Sequence, residues 1–166
     1  MPRNDRDLDA IDRKLLGLLT ADAEQSYAAL GDQVGLSPPA VHERVKRYKA
    51  TGRIKGVVAA LETAMTGKPL LAFIHVDTTG WGKSAAMMEL RGLPEVEEIH
   101  SVTGDTCMLI KARMEHTQAM EGLLARLYDM PGVKSTKSYV ALSTYLERPA
   151  QPGVTADLHD SAENFG

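Results

Sequence analysis

The sequence predicts an α+β protein in which three short helices precede a βαββαβ sandwich. Three observations carry that expectation. Apolar residues recur at helical spacing through the first third of the chain. The remainder runs strand, helix, strand twice over. Both helices of that repeat stop at matching breakers, Leu93-Pro94 before Val96 and Met130-Pro131 before Val133. At 166 residues the chain can bury a sizeable core and hold one domain or two small ones.

Each element has a local reason. In "LDAIDRKLLGLL" the residues Leu8, Ile11, Leu15, Leu18 and Leu19 mark the inner face of a first helix. "SYAALGDQVG" is a second, with Ser26 to cap it, Leu30 and Val34 as inner stripe and Gly35 for its C-terminal end. The third opens at "LSPPAV": Ser37 is the N-cap, and Pro38 takes the first helical position, where its missing N–H costs nothing. Gly52 ends it. "RIKGVVAAL" reads as extended, a short wing or linking strand.

The strands expected next are "PLLAFIHVD", "PEVEEIHSVTG", "CMLIKARM" and "PGVKSTKSYVALSTYL". The intervening helices are "WGKSAAMMELRGL", started by Trp81, and "TQAMEGLLARLYDM", striped by Met120, Leu123, Leu124 and Leu127. The expected organisation is a winged helix-turn-helix over 1–55, a linker or wing strand over 56–69 and a ferredoxin-like domain over 70–148. The remainder, 149–166, is rich in Pro, Gly and acids and reads as a flexible tail.

Composition narrows the function. No apolar run approaches the ~18 residues of a membrane span, and the charged N-terminus lacks the apolar centre of a signal peptide. The lone Cys107 excludes an internal disulfide framework and fits a reducing interior, so a cytoplasmic protein with no membrane partner is expected. The net charge of −3 conceals an asymmetry: residues 1–55 hold ten Lys/Arg against eight Asp/Glu, and residues 56–166 hold nine against fourteen. An acidic total therefore does not argue against nucleic acid, because local potential decides what docks on a face.

The cations concentrate in "VHERVKRYKATGRIK", which carries Arg44, Lys46, Arg47, Lys49, Arg53 and Lys55 against Glu43 alone. On a helical wheel Val41, Val45 and Tyr48 form the buried stripe, and Pro39, Ala40, Glu43, Lys46 and Arg47 lie opposite. Small residues at the N-terminal turn admit base edges, while Lys and Arg further along reach phosphates or guanine edges. The reading is a recognition helix for double-stranded DNA. Ser37, Pro39, Ala40 and Glu43 would sit nearest the bases, with Arg44, Lys46, Arg47 and Lys49 on phosphates or guanine edges. The wheel puts Arg44 at the border of the buried stripe, where a structural ion pair is an equal alternative.

In the sandwich, strands are apolar on both faces. Leu71 and Phe73 oppose Ala72, Ile74 and Val76, while Tyr139, Ala141 and Tyr145 oppose Val140, Leu142 and Leu146. Such strands need a second cover, and a homodimer through packed sheets is expected.

"LDAIDRKLLGLL", "GLSPPAVHERVKRYKATGRIKG", "VTGDTCMLIKARM" and "MPGVKSTKSYV", in that order over about Leu8 to Leu146, resemble the leucine-responsive/asparagine-type (Lrp/AsnC) transcription regulators. The resemblance implies a winged helix-turn-helix joined to a ferredoxin-like domain, regulation in response to amino acids, dimers through the C-terminal sheets and larger assemblies of dimers. It further implies a small-molecule effector near the Gly-Asp loop between the middle strands, here Gly104 and Asp105 with Thr103 and Thr106 beside them. Many members carry an aromatic and a second acid after Gly-Asp, and this chain has Thr106 and Cys107. One carboxylate fewer removes a charge-assisted hydrogen bond of order 1.5–3 kcal/mol where desolvated, which argues against an ordinary amino-acid effector: the alternatives are a weaker-bound amino acid, a related metabolite that lacks the amine, or no effector.

No enzyme is expected and no metal site. The five histidines, His42, His75, His100, His116 and His159, lack ligand spacing, and there is no Walker loop or GxGxxG. His100 and Cys107 can approach across adjacent strands, but a small buried Cys and a half-exposed strand His account for them better than a catalytic pair. The alternative from another class is a small-molecule-binding module whose N-terminal helices dock a partner protein. It differs from a DNA reader in showing a shallow dependence on salt.

Overall fold

The computed structural model describes residues 8–79, 85–155 and 158. Trp81, Gly80, His159 and the end of the expected tail lie outside the described residues. The chain forms two compact units, one of residues 1–59 with 147–166 and one of residues 60–146.

In the first unit α1 is Ala10–Ala21, α2 is Tyr27–Val34 and α3 is Pro38–Ala50. Their apolar faces meet in a small core of Leu15, Leu16, Leu30, Val41, Val45 and Tyr48, edged by Leu8, Leu18, Leu19, Val34, Leu36 and Ile54. Ser26 caps α2 by accepting the Ala29 amide at 3.1 Å, and Gly35 closes it in the left-handed region at φ 71°. Residues 57–62 form no strand, and Val57 and Val58 are 66% and 88% exposed. A 3-10 turn, Thr63–Thr66, follows.

The second unit contains β1 (Leu70–Thr78), α4 (Ala85–Glu89) extended by a 3-10 turn to Gly92, β2 (Val96–Ser101), β3 (Met108–Met114), α5 (Thr117–Tyr128) and β4 (Val133–Val140). The sheet order is β2-β3-β1-β4 with every neighbouring pair antiparallel. This is the βαββαβ topology expected. One face, Ala72, Ile74 and Val76 with Met108, Ile110, Ala112 and Met114, packs on Met87, Leu90, Leu123 and Leu127.

The other face is apolar only at its centre. Phe73 pairs with Tyr139 and Lys111, and His75 with Leu109 and Lys137, so alternation puts these residues opposite the helices. Leu71 is buried and Tyr139 is 51% exposed. β4 stops at Val140 rather than running to Leu146: the Ala141 amide makes a last bond to the Leu71 carbonyl at 2.9 Å, and β1 begins one residue earlier. Beyond that, Leu142 and Tyr145 are each 97% exposed.

Candidate nucleic-acid interface and effector loop

The helix that carries the cations is seated by both of its neighbours. Val41, Val45 and Tyr48 are buried as the wheel requires, at 0%, 4% and 0% exposure. The turn before it is tight. The Leu36 amide bonds the Gly31 carbonyl at 2.9 Å, and a Cβ on Gly31 would lie 2.4 Å from the Leu36 oxygen. Only glycine fits there without moving the turn that aims α3. Ser37 has the extended backbone of an N-cap but makes no side-chain capping bond, and its side chain is exposed. Pro39, Glu43, Lys46, Arg47 and Lys49 are exposed too, and Ala40 is half-buried.

Beneath that surface lies a charge that sequence reasoning missed. Asp12 of α1 is 2% exposed. Its Oδ1 accepts the Tyr48 hydroxyl, Arg44 Nη1 at 2.5 Å and Arg47 Nη2 at 3.3 Å. Asp9 completes the cluster: it accepts the Asp12 amide at 2.5 Å and Arg44 Nη1 at 3.3 Å, and its own amide bonds Asp12 Oδ2 at 3.3 Å. This is a capping box closed by two acids. Burial works to raise the Asp12 carboxyl, but the bonds from Tyr48, the Asp9 amide and Arg44 outweigh it and hold the carboxyl below its ordinary value. Burial first, and then the bond to Asp12, push the Tyr48 hydroxyl up to about 12. The D-x-x-D spacing at a helix start was the available signal for Asp12.

This cluster separates the cations. Arg44 is 20% exposed and turned into the two acids, so it fastens α3 to α1. Arg47 shares Asp12 but remains 42% exposed, its guanidinium 5.8 Å from the Tyr48 ring centroid. At the other end of the exposed face, the Tyr27 and His42 rings are 5.5 Å apart. Neither was singled out from the sequence, since the pairing joins two helices.

The Gly-Asp loop connects β2 to β3. Val102 donates to the Cys107 carbonyl at 3.1 Å, Gly104 turns at φ 126°, and Thr103, Gly104 and Asp105 are exposed. Thr106 is half-buried, with Oγ1 3.3 Å from the Val76 carbonyl and 3.4 Å from the Met108 carbonyl. Beside it stands another acid, Asp77 of β1. It accepts Ser135 Oγ at 2.8 Å, and that bond above all, with help from Thr106, the Cys107 amide and Lys137, holds its carboxyl below the ordinary value against partial desolvation.

Two clefts occur elsewhere in this unit. One of about 430 Å³ lies over β2 and includes Met88, Arg91, Glu97 and Met108; one of about 290 Å³ lies beside α5 and includes Glu95, Glu115 and Arg126. Neither is lined by the four loop residues. His100 bonds Glu98 at 2.8 Å, and Cys107 is half-buried with Sγ 4.0 Å from the Thr78 carbonyl. Among the described residues no group of three His, Cys, Asp or Glu side chains is placed to hold a metal. Nor is any helix among them long and apolar enough to cross a membrane.

A three-helix unit presenting a cationic helix, followed by a ferredoxin-like domain, defines a helix-turn-helix regulator with a second, ligand-binding module. Comparison with known proteins identifies the family. The AsnC-type helix-turn-helix domain matches residues 8–49, and the Lrp/AsnC ligand binding domain matches residues 71–151. The leucine-responsive regulatory protein of Escherichia coli K12 is 35% identical over 145 residues, which cover 84% of this chain and 88% of that protein. The transcriptional regulator FL11 of Pyrococcus horikoshii is 29% identical over 87% of this chain and 96% of its own length.

Among solved structures, the feast or famine regulatory protein of Mycobacterium tuberculosis in complex with L-methionine superposes with a TM-score of 0.79. It is 30% identical, covering 89% of this chain and 100% of that one. E. coli AsnC superposes with a TM-score of 0.76 at 27% identity, covering 87% and 98%. The chain belongs to the Lrp/AsnC family of DNA-binding transcriptional regulators, a family of oligomeric proteins that are not enzymes.

Proposed function

We propose that the exposed face of α3 reads DNA in the cytoplasm and that a small metabolite bound at the Gly104–Asp105 loop modulates it. The observation that carries the first part is the sorting of charge on α3. Lys46 and Arg47 stay exposed on the side away from Val41, Val45 and Tyr48, with Lys49 exposed at the flank of that stripe, while Arg44 is withdrawn into Asp9 and Asp12. Ser37, Pro39, Ala40 and Glu43 face the bases; Lys46, Arg47 and Lys49 take phosphates or guanine edges. Arg44 is the internal clamp that keeps this face in place. Tyr27 and His42 border the reading face and add polar atoms for the backbone.

For the effector, Thr103, Gly104, Asp105 and Thr106 form one wall of a site. Neither of the two clefts, over β2 and beside α5, includes the loop, and a second copy supplies the opposite wall. The ligand is an amino acid or related metabolite. L-methionine is the ligand of the M. tuberculosis relative, and isothermal calorimetry against amino acids and their keto-acids, on wild type and Asp105→Ala, identifies the one used here. Heat that is unchanged by Asp105→Ala removes the loop from the site.

Fluorescence anisotropy on DNA from upstream of the protein's own gene, at several salt concentrations with scrambled competitor, tests the reader. Arg47→Ala is expected to weaken binding about tenfold and to lower the slope of log K against log salt by about 0.9, the value of one phosphate contact. An unchanged slope takes Arg47 out of the phosphate contacts. A slope near zero for the wild type means that the helix docks a protein.

A further inference from the structure

Beyond the reading face, α1 carries a second surface that the family's domains do not assign. The ligand binding domain ends at residue 151, and the helix-turn-helix domain ends at residue 49. Yet the chain from Glu147 onward belongs to the compact unit of the helices. Its point of contact is Pro152, one residue past the domain's end.

Two features of α1 converge there. Arg13 Nη1 donates to the Pro152 carbonyl at 2.9 Å. One turn on, Gly17 occupies the interior of the helix, where glycine weakens a helix and sequence pattern alone offers no reason for it. A Cβ built on Gly17 has one close neighbour outside its own helix, the Pro152 Cγ at 3.8 Å. Positions 13 and 17 are i and i+4, stacked on one helix face. The helix therefore offers a side-chain-free position with a cationic donor beside it, and the proline ring lies next to both, within van der Waals reach of a Cβ at position 17.

The approach is shaped locally. Gln151 Nε2 bonds the Pro149 carbonyl at 3.0 Å, folding the three residues before the contact. Pro152 is half-buried while Gln151, Gly153 and Val154 on either side are exposed. Proline suits that contact. Its ring covers apolar surface with little rotamer entropy to lose.

We propose that residues 149–155 are a tether that docks on the Arg13–Gly17 face of α1 in the same chain, giving the helical unit a second covalent tie to the sheet domain besides residues 56–69. The docked helix is the one whose Asp12 holds Arg44, Arg47 and Tyr48 of α3, so the tether bears on the helix that seats the reader.

The test uses the full chain with Cys107→Ser, Gly17→Cys and Pro152→Cys, treated with the shortest bis-maleimide and resolved on a denaturing gel. A fast within-chain link is expected, at least tenfold faster than in denaturant. Adding Arg13→Ala should slow it about fivefold, what one hydrogen bond is typically worth. Linking no faster than in denaturant overturns the dock, and linked dimers overturn its assignment to the same chain. Because Gly17→Cys alters a helix, the unmodified chain supplies an independent readout. A nuclear Overhauser contact between the Gly17 α-protons and the Pro152 ring is expected, and its absence in an otherwise assigned spectrum overturns the proposal.

Discussion

Among the described residues each of the two units buries one charged residue, and they use it in opposite ways. Asp12, at 2% exposure, sits between α1 and α3 and takes donors from three side chains of one neighbouring helix. Arg113, at 6%, lies on the sheet face away from the helices, where Nε bonds Glu97 Oε1 at 2.7 Å. Among its described residues the helical unit has six buried apolar side chains, too few to define a helix angle by packing alone. Directional bonds to one carboxylate supply what packing lacks. The sheet unit has its geometry set by three antiparallel ladders and a core that includes Met87, Met108, Met114 and Met130, side chains that adapt to gaps. There the charge pair adorns a structure already specified.

Breaking the two charges separates these cases. Asp12→Ala leaves Arg44 and the Tyr48 hydroxyl without their shared acceptor and is expected to cost about 3–5 kcal/mol, read as early loss of the helical transition in urea. DNA binding should fall with it. Gly31→Ala attacks the same seat from the turn. Its Cβ must displace the Leu36 carbonyl, and overpacking of this kind costs about 1–3 kcal/mol by the same measurement.

Acid gives a smaller, graded version of the first break. The Asp12 carboxyl titrates below its ordinary value in the folded chain, so its contribution is fully present above the unfolded carboxylate range, near pH 4. It is lost as pH falls through the depressed native value. Urea midpoints of the helical unit should decline over that window, and Asp12→Asn should flatten the decline. Arg113→Met leaves Glu97 31% exposed and still paired with Lys111 at 3.1 Å, so it is expected to change stability by less than about 1 kcal/mol in the same denaturation experiment. A loss as large as that of Asp12→Ala would end the contrast between the units.

Much of this architecture was legible beforehand because it rests on local rules. Helical spacing, the Ser26 and Ser37 caps, Gly35 and the Pro breakers placed the elements, and the buried stripe of Val41, Val45 and Tyr48 followed from 100° per residue. The failure came where an element needs a partner to exist. The last strand stopped at Val140 because β1 offers nothing further to pair with. The periodicity of a strand records what a residue tolerates, not where the ladder ends.

By itself the sequence determined the order of elements, the repeat that makes a split βαβ sandwich, the cationic face of α3 and the family. All of these depend on spacing along the chain. Only the tertiary structure decided which cation the fold consumes: Arg44 and Arg47 are three residues apart on one helix, and Asp9 and Asp12, some 35 positions earlier, draw in the first and share the second. It likewise decided that Asp77 stands beside Thr106, and that Pro152 rests beside Gly17. Charges and gaps are assigned by whatever distant group arrives against them, and a linear pattern carries no record of that arrival.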